Sequence, residues 1–377
     1  PISIGFYAVF APPFSMQGSD LTLWMTIAIV GFYSAMTLFF VPHMALGAEL
    51  SVDYHERSRL FGVRHIFYTL GSILSLGAMY LLINEEFAEG GNVRLMAREQ
   101  ALVAIAIMVV LVIYAVVMLR ERPEFQNRQQ GGPLQAFTDI WGNPHAKLLI
   151  IVTFIEYVGS AAIAALTLYI SQYVVGAPAM APLIILAYMI PSTVFVPLWI
   201  PLSKRFGKIR VWMFGMILTG LSFGGMFSLP FIDSVEQRLF WIIVLAAFAG
   251  LAAGCGGTLG PSVQGDVIDY DEYKTGERKE GSYFAAWNFV HKSALGVMLL
   301  LTGFVLDFAG FMPNVEQTMQ VKIAMVSLYG LFPLVCYTVG AILFSRFSLD
   351  EKAYEVIRTE LDARRAKAAE EADATAQ

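Results

Sequence analysis

Apolar stretches of about 20 residues recur along this chain, near 21–42, 60–83, 101–119, 148–170, 181–202, 211–231, 239–262, 284–306 and 323–345. At a rise of about 1.5 Å per residue, each is long enough as a helix to cross the ~30 Å hydrocarbon core of a bilayer. Composition agrees: 57% of the 377 residues are apolar and 15% charged, against ~25% charged in soluble domains. The mean hydropathy is +0.62. Disorder, collagen and a secreted disulfide scaffold are excluded. The two cysteines, Cys255 and Cys336, lie in apolar runs and say nothing about redox compartment. A net charge of −5 offers no basic field for nucleic acid. What remains is an all-α polytopic membrane protein.

About 11 residues precede Pro12-Pro13, roughly 16 Å of helix, and there is no initiator Met. The expectation is a chain that begins inside a tenth span; no charged leader or cleavage site marks a signal peptide. Lys/Arg placement sets the orientation. Alternate loops (Arg57 and Arg59; Arg120, Arg122, Arg128 and Lys147; Lys204, Arg205, Lys208 and Arg210; Lys274, Arg278 and Lys279), with the tail, hold nineteen of the 25 Lys and Arg. The opposite loops hold four: Arg94, Arg98, Arg238 and Lys322. The first set, and the C-terminus with it, is expected on the cytoplasmic side of an inner or plasma membrane.

The segment 120–147, rich in Pro, Gln, Gly and Arg, reads as a cytoplasmic linker between a first bundle, 1–119, and a second, 148–346. Six spans follow the linker; three and a part precede it. If the halves match, two and a half spans belong before residue 1. The tail 347–377 reads as a charged, Ala-rich amphipathic helix, solvated on the cytoplasmic side. An internal repeat supports two halves. Asp53-Tyr54-His55-Glu56 and Asp269-Tyr270-Asp271-Glu272 each sit on the second inner loop from the end of their bundle. Each leads into a span carrying one cation, Arg64 in the first and Lys292 in the second. Two parallel six-span halves with a site between them is the plan of major-facilitator-type transporters.

VPHMALGAELSVDYHERSRLFGVR (41–64) resembles the helix IV–V signature of the glycoside–pentoside–hexuronide:cation symporters, the melibiose permease family. GDVIDYDEYKTGERKEGSYFAAWNFVHK (265–292) resembles their helix X–XI signature, and GFMPNVEQT (310–318) the loop that follows. The resemblance implies a major-facilitator fold with helices III to VI in 1–119 and VII to XII in 148–346, helices I and II lying outside this chain. It implies that Thr37 stands where the family's helix IV hydroxyl binds the coupling cation, Na⁺ or H⁺. Arg64 matches the helix V arginine near the sugar, and Lys292 the helix XI lysine between sugar and cation. Phe40 and Met44 replace the melibiose permease's sugar-binding Asp and stacking Trp, and Gly257 its helix X Trp, so a galactoside pocket of that design is not expected. The family's lysolipid-carrying animal branch keeps the lysine, which therefore does not identify the cargo.

The residues also argue for themselves. An ionised group at mid-bilayer costs ~2.5–3.5 kcal/mol even on the lenient insertion scale, so it faces a cavity or a partner. Lys292 stands eight residues into its span, with Asn288 one turn before it on the same face. Arg64 stands four residues inside its span, where snorkelling to the interface competes with a site role. Glu156, about nine residues into its span, could pair with a cation, take a proton, or sit protonated against a neighbouring helix. For Thr37 the competing reading is a hydrogen bond back to its own helix. Asp53, Glu56, Arg57, Asp266, Asp269, Glu272 and Arg278 form inner-loop clusters of mixed sign, read as a cytoplasmic gate of salt bridges against the alternative of plain solvated loops. The SKRFGKIR loop, 203–210, resembles the superfamily's loop between paired helices without its usual Asp. Gly254, Gly256, Gly257 and Gly260 with Pro261 suit a hinge or close helix packing equally.

No Walker loop, GxGxxG, HExxH or Cys/His metal spacing is present, so no enzyme and no bound cofactor is expected. A channel is the other transport class, but isolated charges beside a two-halved repeat favour alternating access. The expected protein is a monomeric symporter of a small molecule, a sugar by the resemblance, with Na⁺ or H⁺ as coupling ion and the lipid bilayer as its surroundings. A lysolipid-like cargo, or a non-transporting scaffold, are the alternatives.

Overall fold

The computed structural model describes residues 1–51, 53–83, 93–119, 138 and 140–376, and among them every regular element is helical. The linker segment 120–137, with Arg120, Arg122 and Arg128, lies outside the described residues. In order the helices are α1 (Ile2–Phe10), α2 (Gly18–Leu50), α3 (Tyr54–Ile83), α4 (Val93–Met118), α5 (Pro144–Tyr169), α6 (Ala181–Val194), α7 (Val196–Phe206), α8 (Lys208–Gly225), α9 (Val235–Thr275), α10 (Glu280–Phe308), α11 (Met319–Val326), α12 (Phe332–Phe344) and α13 (Glu351–Ala376). Among the described residues, seven helices are long and apolar enough to cross a membrane. The number becomes eight if the bent pair Pro178–Val194 and Val196–Phe206 is one span. The expected span at 60–83 lies within the single continuous helix α3.

Local chemistry explains the punctuation. α1 stops at Ala11 because Pro12-Pro13 cannot continue it. Asp53 caps α3, its Oδ1 accepting from the backbone N–H of His55 (2.9 Å) and Glu56 (2.7 Å). The Glu56 amide, more than the smaller contributions from His55 and nearby Lys204, holds the Asp53 carboxyl below its ordinary range. Asn143 caps α5 in the same way, with Pro144 at the first helical position. The 49° bend between α6 and α7 falls at Phe195, between Pro191 and Pro197. A π-helical turn, Ile170–Val175, extends α5, and another, Ser327–Leu331, joins α11 to α12.

The chain divides into two compact units: Pro1–Leu50 with Gly71–Arg128, and Ser51–Leu70 with Gln129–Gln377. In the first, α1 packs on α2 and α4. On α4, Leu102, Val103, Ile107, Val110 and Leu111 are exposed and apolar, and of these Val103, Ile107 and Leu111 line an apolar cleft with Phe10 and Phe39. In the second, α9 packs against α6 and α8, and α5 against α10 and α12. Leu166, Ile170, Phe223, Ile242, Ala249 and Met298 are buried at its centre. Gly254 lies so close to the Ser192 carbonyl of α6 that no side chain fits there. The small residues of α9 therefore serve close packing, and the helix runs unbroken through Pro261.

The far end of α9 positions the candidate site and departs from the sequence expectation. α9 continues to Thr275, 41 residues in all, whereas the apolar stretch suggested an end near 262. Its length of roughly 60 Å is about twice the hydrocarbon core. The last turns, with Asp266, Asp269 and Glu272, are helix rather than loop, and stop where Gly276 takes φ +74°. The two Asp-Tyr repeats thus differ locally, the first capping a helix and the second lying inside one.

Candidate functional site

Two polar assemblies stand out in the second unit. The first gathers at the end of α9. Arg57, from the first turn of α3, is fully buried. Its NH1 donates to Asp266 Oδ1 and its NH2 to Asp269 Oδ2, both at 2.8 Å. Lys208, at the start of α8 and also buried, donates to the other Asp266 oxygen at 2.7 Å. Its ammonium sits 3.2 Å from the centre of the Tyr54 ring. Arg278 donates to Asp269 Oδ1 at 2.8 Å and to Glu272 Oε2 at 2.7 Å, and its Nε to Glu280. Tyr354 of α13 completes Asp269, donating its phenol to Oδ2 at 2.7 Å. Both aspartates thus have more than one charge-assisted partner, the condition under which buried ions are tolerated.

Of the seven residues expected at a cytoplasmic gate, Arg57, Asp266, Asp269, Glu272 and Arg278 come together here. Asp53 and Glu56 do not: Asp53 is the α3 cap, and Glu56 pairs with Arg59 at 3.5 Å on an exposed surface. Lys208, Tyr54, Glu280 and Tyr354 belong to the network and were missed. Lys208 was counted with ordinary inner-loop charge. Tyr354 carried a readable signal, since Tyr354, Ile357 and Leu361 make an i, i+3, i+7 apolar stripe on an otherwise charged helix.

Gly265 is required by this packing, because a Cβ there would lie 2.8 Å from Arg57 Cδ. An arginine normally swings aside, but this one is held at both ends of its fork. Gly265→Ala is expected to loosen the Arg57 pairs while leaving membrane insertion intact. Faster thiol labelling of a cysteine placed at Ser262, which meets Ser58 at 3.0 Å beside the network, would show it; an unchanged rate would mean the fork adapts.

The second assembly surrounds Glu156 on α5. An added Cβ on Gly256 of α9 would be 3.4 Å from both Glu156 Oε1 and Trp212 Nε1, so these two groups flank one small space. The Trp212 indole N–H is buried and lacks a hydrogen-bond partner among the described residues. Tyr157, Tyr188 and Tyr337 are near enough to feel the Glu156 charge. Arg64 interacts electrostatically with Tyr157, and His291 stacks edge-on against the Tyr157 ring at 4.5 Å. Lys292 follows His291 and is exposed on α10, with half-buried Asn288 one turn away. His65 fills the space beside Gly257, where the resembling family carries a tryptophan. Its Nε2 is buried without a hydrogen-bond partner among the described residues.

Glu156, Arg64 and His291 therefore gather near Tyr157, and Lys292 is placed next to His291 on α10. Thr37 belongs to the other unit, and its hydroxyl donates to the Tyr33 carbonyl at 2.8 Å, the bond back to its own helix. Among the described residues no group of three or more His, Cys, Asp or Glu is arranged to hold a metal ion.

The family model described as "MFS/sugar transport protein" matches residues 1–351. The symporter YjmB of Bacillus subtilis (strain 168) is 27% identical over 304 residues, which cover 78% of this chain and 62% of that protein. The chain thus spans less than two thirds of that relative's length. The human sodium-dependent lysophosphatidylcholine symporter 1 is 24% identical over 397 residues, covering 95% of this chain and 71% of that protein. Among solved structures, the Escherichia coli fucose:proton symporter FucP superposes with a TM-score of 0.64 at 14% identity, covering 92% of this chain and 83% of that one. At that identity the likeness is one of fold.

Proposed function

This multi-pass membrane chain belongs to the MFS/sugar transport protein family and has the major-facilitator fold, and from that premise we propose that it works as a cation-coupled symporter of a polar small molecule. The two sequence halves, 1–119 and 148–346, are the bundles that alternate, joined by the 120–147 linker with the tail on the cytoplasmic side. The network of Arg57, Lys208, Arg278 and their carboxylates is the cytoplasmic gate. The cargo class is a glycoside, pentoside or hexuronide.

The observation that carries this reading is a polar cluster inside an apolar helix bundle: Glu156 and Trp212 flank one space at Gly256, and Arg64 and His291 lie near Tyr157, the residue after Glu156. Ionisable groups at membrane depth are expensive unless they serve a pathway. Indole N–H, phenols and guanidinium supply donors for sugar hydroxyls or a uronate carboxylate, and aromatic rings supply faces for the sugar ring. Glu156 supplies an acceptor for a hydroxyl, a proton or a cation. Lys292, exposed beside this cluster, links cargo and coupling ion by its charge. A second reading, a lysolipid-like cargo, is favoured by the likeness to the human lysophosphatidylcholine symporter across 95% of the chain.

Reconstituted in liposomes and offered labelled glycosides, pentoses, hexuronates and lysophosphatidylcholine, the protein is expected to accumulate a member of the sugar classes when a Na⁺ or H⁺ gradient is imposed. Lys292→Ala should lose that accumulation and remain inserted, and Lys292→Arg should not restore it fully, because a guanidinium fork differs from a compact ammonium. Accumulation of lysophosphatidylcholine and no sugar would replace the first reading with the second. Normal accumulation by Lys292→Ala would remove the lysine from the coupling path.

A further inference from the structure

The C-terminal helix α13 was expected to be solvated, but its first half is packed onto the ion-pair network. Phe347, Leu349, Tyr354, Ile357 and Leu361 are buried. The Tyr354 phenol and the Arg57 guanidinium share one oxygen of Asp269, at 2.7 and 2.8 Å. The Tyr354 ring also lies 5.2 Å from that of Tyr54, on whose face Lys208 rests. At the start of α13, Glu351 Oε1 is 2.9 Å from His55 Nε2. Farther along, Arg364 donates to the Tyr273 carbonyl at 2.9 Å and sits 5.1 Å from the centre of that ring.

The contacts have a pattern. Tyr54 and His55 are the first two residues of α3, and Asp269 and Tyr273 belong to the last two turns of α9. One helix therefore grips both elements that Arg57 ties together. Burial, aided by the charge of Asp269, pushes the Tyr354 phenol well above its ordinary range, so it stays a donor at physiological pH.

We propose that α13 is a latch on the cytoplasmic gate: it clasps the start of α3 to the end of α9, and the gate opens only when Tyr354 releases Asp269. The latch rests on the reading of the network as a gate and adds a regulatory element to it. Any change that detaches the C-terminal helix then biases the transporter toward the state open to the cytoplasm, without touching the cargo site.

The test is a labelling rate, which needs no knowledge of the cargo. In the intact protein, with both native cysteines replaced and a single cysteine at Ser262, a maleimide is applied from the cytoplasmic side. Tyr354→Phe keeps the ring and removes only the hydrogen bond. Because a hydrogen bond to a charged group shifts an equilibrium by roughly tenfold or more, labelling should speed up by about that factor. Removal of 351–377 should raise the rate at least as much, and Glu351→Gln only about twofold, as suits a partly exposed pair. If Arg57→Ala accelerates labelling while Tyr354→Phe and the truncation do not, the latch is wrong and the gate stands. If none of the three changes the rate, gate and latch fail together.

Discussion

Arg57→Ala should leave the protein inserted in the membrane and remove its ability to hold a gradient, with the cytoplasmic end standing open. Arg57 is fully buried and holds Asp266 and Asp269 through separate 2.8 Å bonds. Deleting one partner of such a buried pair costs about 3–5 kcal/mol, because the remaining charges lose compensation that water would otherwise give. Lys208 and Arg278 stay on the two aspartates and set the cost at the lower end of that range. Each 1.4 kcal/mol is about tenfold in an equilibrium, so the closed form should lose roughly two orders of magnitude to a form in which water reaches the carboxylates. Arg57→Lys keeps one charge but cannot fork between two carboxylates, and should fall between the two. The measurement is cytoplasmic labelling of a cysteine at Ser262, paired with retention of preloaded substrate. Labelling unchanged by Arg57→Ala would show that the network is scaffold and not gate.

The membrane class, the approximate spans and the family were legible because they depend on quantities that sum over many residues: apolar length, Lys/Arg asymmetry and extended motifs. Arg57, Asp266, Asp269, Glu272 and Arg278 were legible as a group because charges of both signs crowd the same two short segments, where opposite charges can pair. Asp53 and Glu56 sat in the same clusters but took local roles, a cap and an i, i+3 pair, that depend on where a helix starts. That boundary is set by one side chain bonding two amides, which no summed property reports. The far end of α9 was misplaced for a related reason, since hydropathy marks where hydrocarbon ends and not where a helix ends. Lys208 was hidden by its company: four cations in a short loop look alike until one of them is buried. The meeting of Glu156 with Trp212 across Gly256 depends on the register between α5, α8 and α9, which single-sequence periodicity does not fix.

Glu156→Gln should convert coupled accumulation into simple equilibration. The amide matches the carboxylate in shape and keeps an acceptor beside Trp212 Nε1, across the space above Gly256, so cargo contacts that need only an acceptor survive. What it cannot do is carry a proton or attract a cation. Stability should be unchanged or improved, since replacing a poorly paired, half-buried carboxyl by a neutral isostere removes any cost of desolvating its charged form. A carrier without that link has no coupling free energy between ion and cargo, so its accumulation ratio should fall to roughly one while exchange of labelled for unlabelled cargo continues. Glu156→Asp shortens the reach to Trp212 and Tyr157 and should keep a reduced accumulation. Trp212→Phe, which removes the N–H and keeps most of the ring, should weaken cargo binding and leave the response to the ion gradient in place. These variants separate the two jobs assigned to one cluster, because each side chain is asked to fail in a different assay. Should Glu156→Gln accumulate cargo like the unaltered protein under both Na⁺ and H⁺ gradients, the carboxylate has no part in coupling. Arg64 and Lys292 would then be the residues left on which to place it.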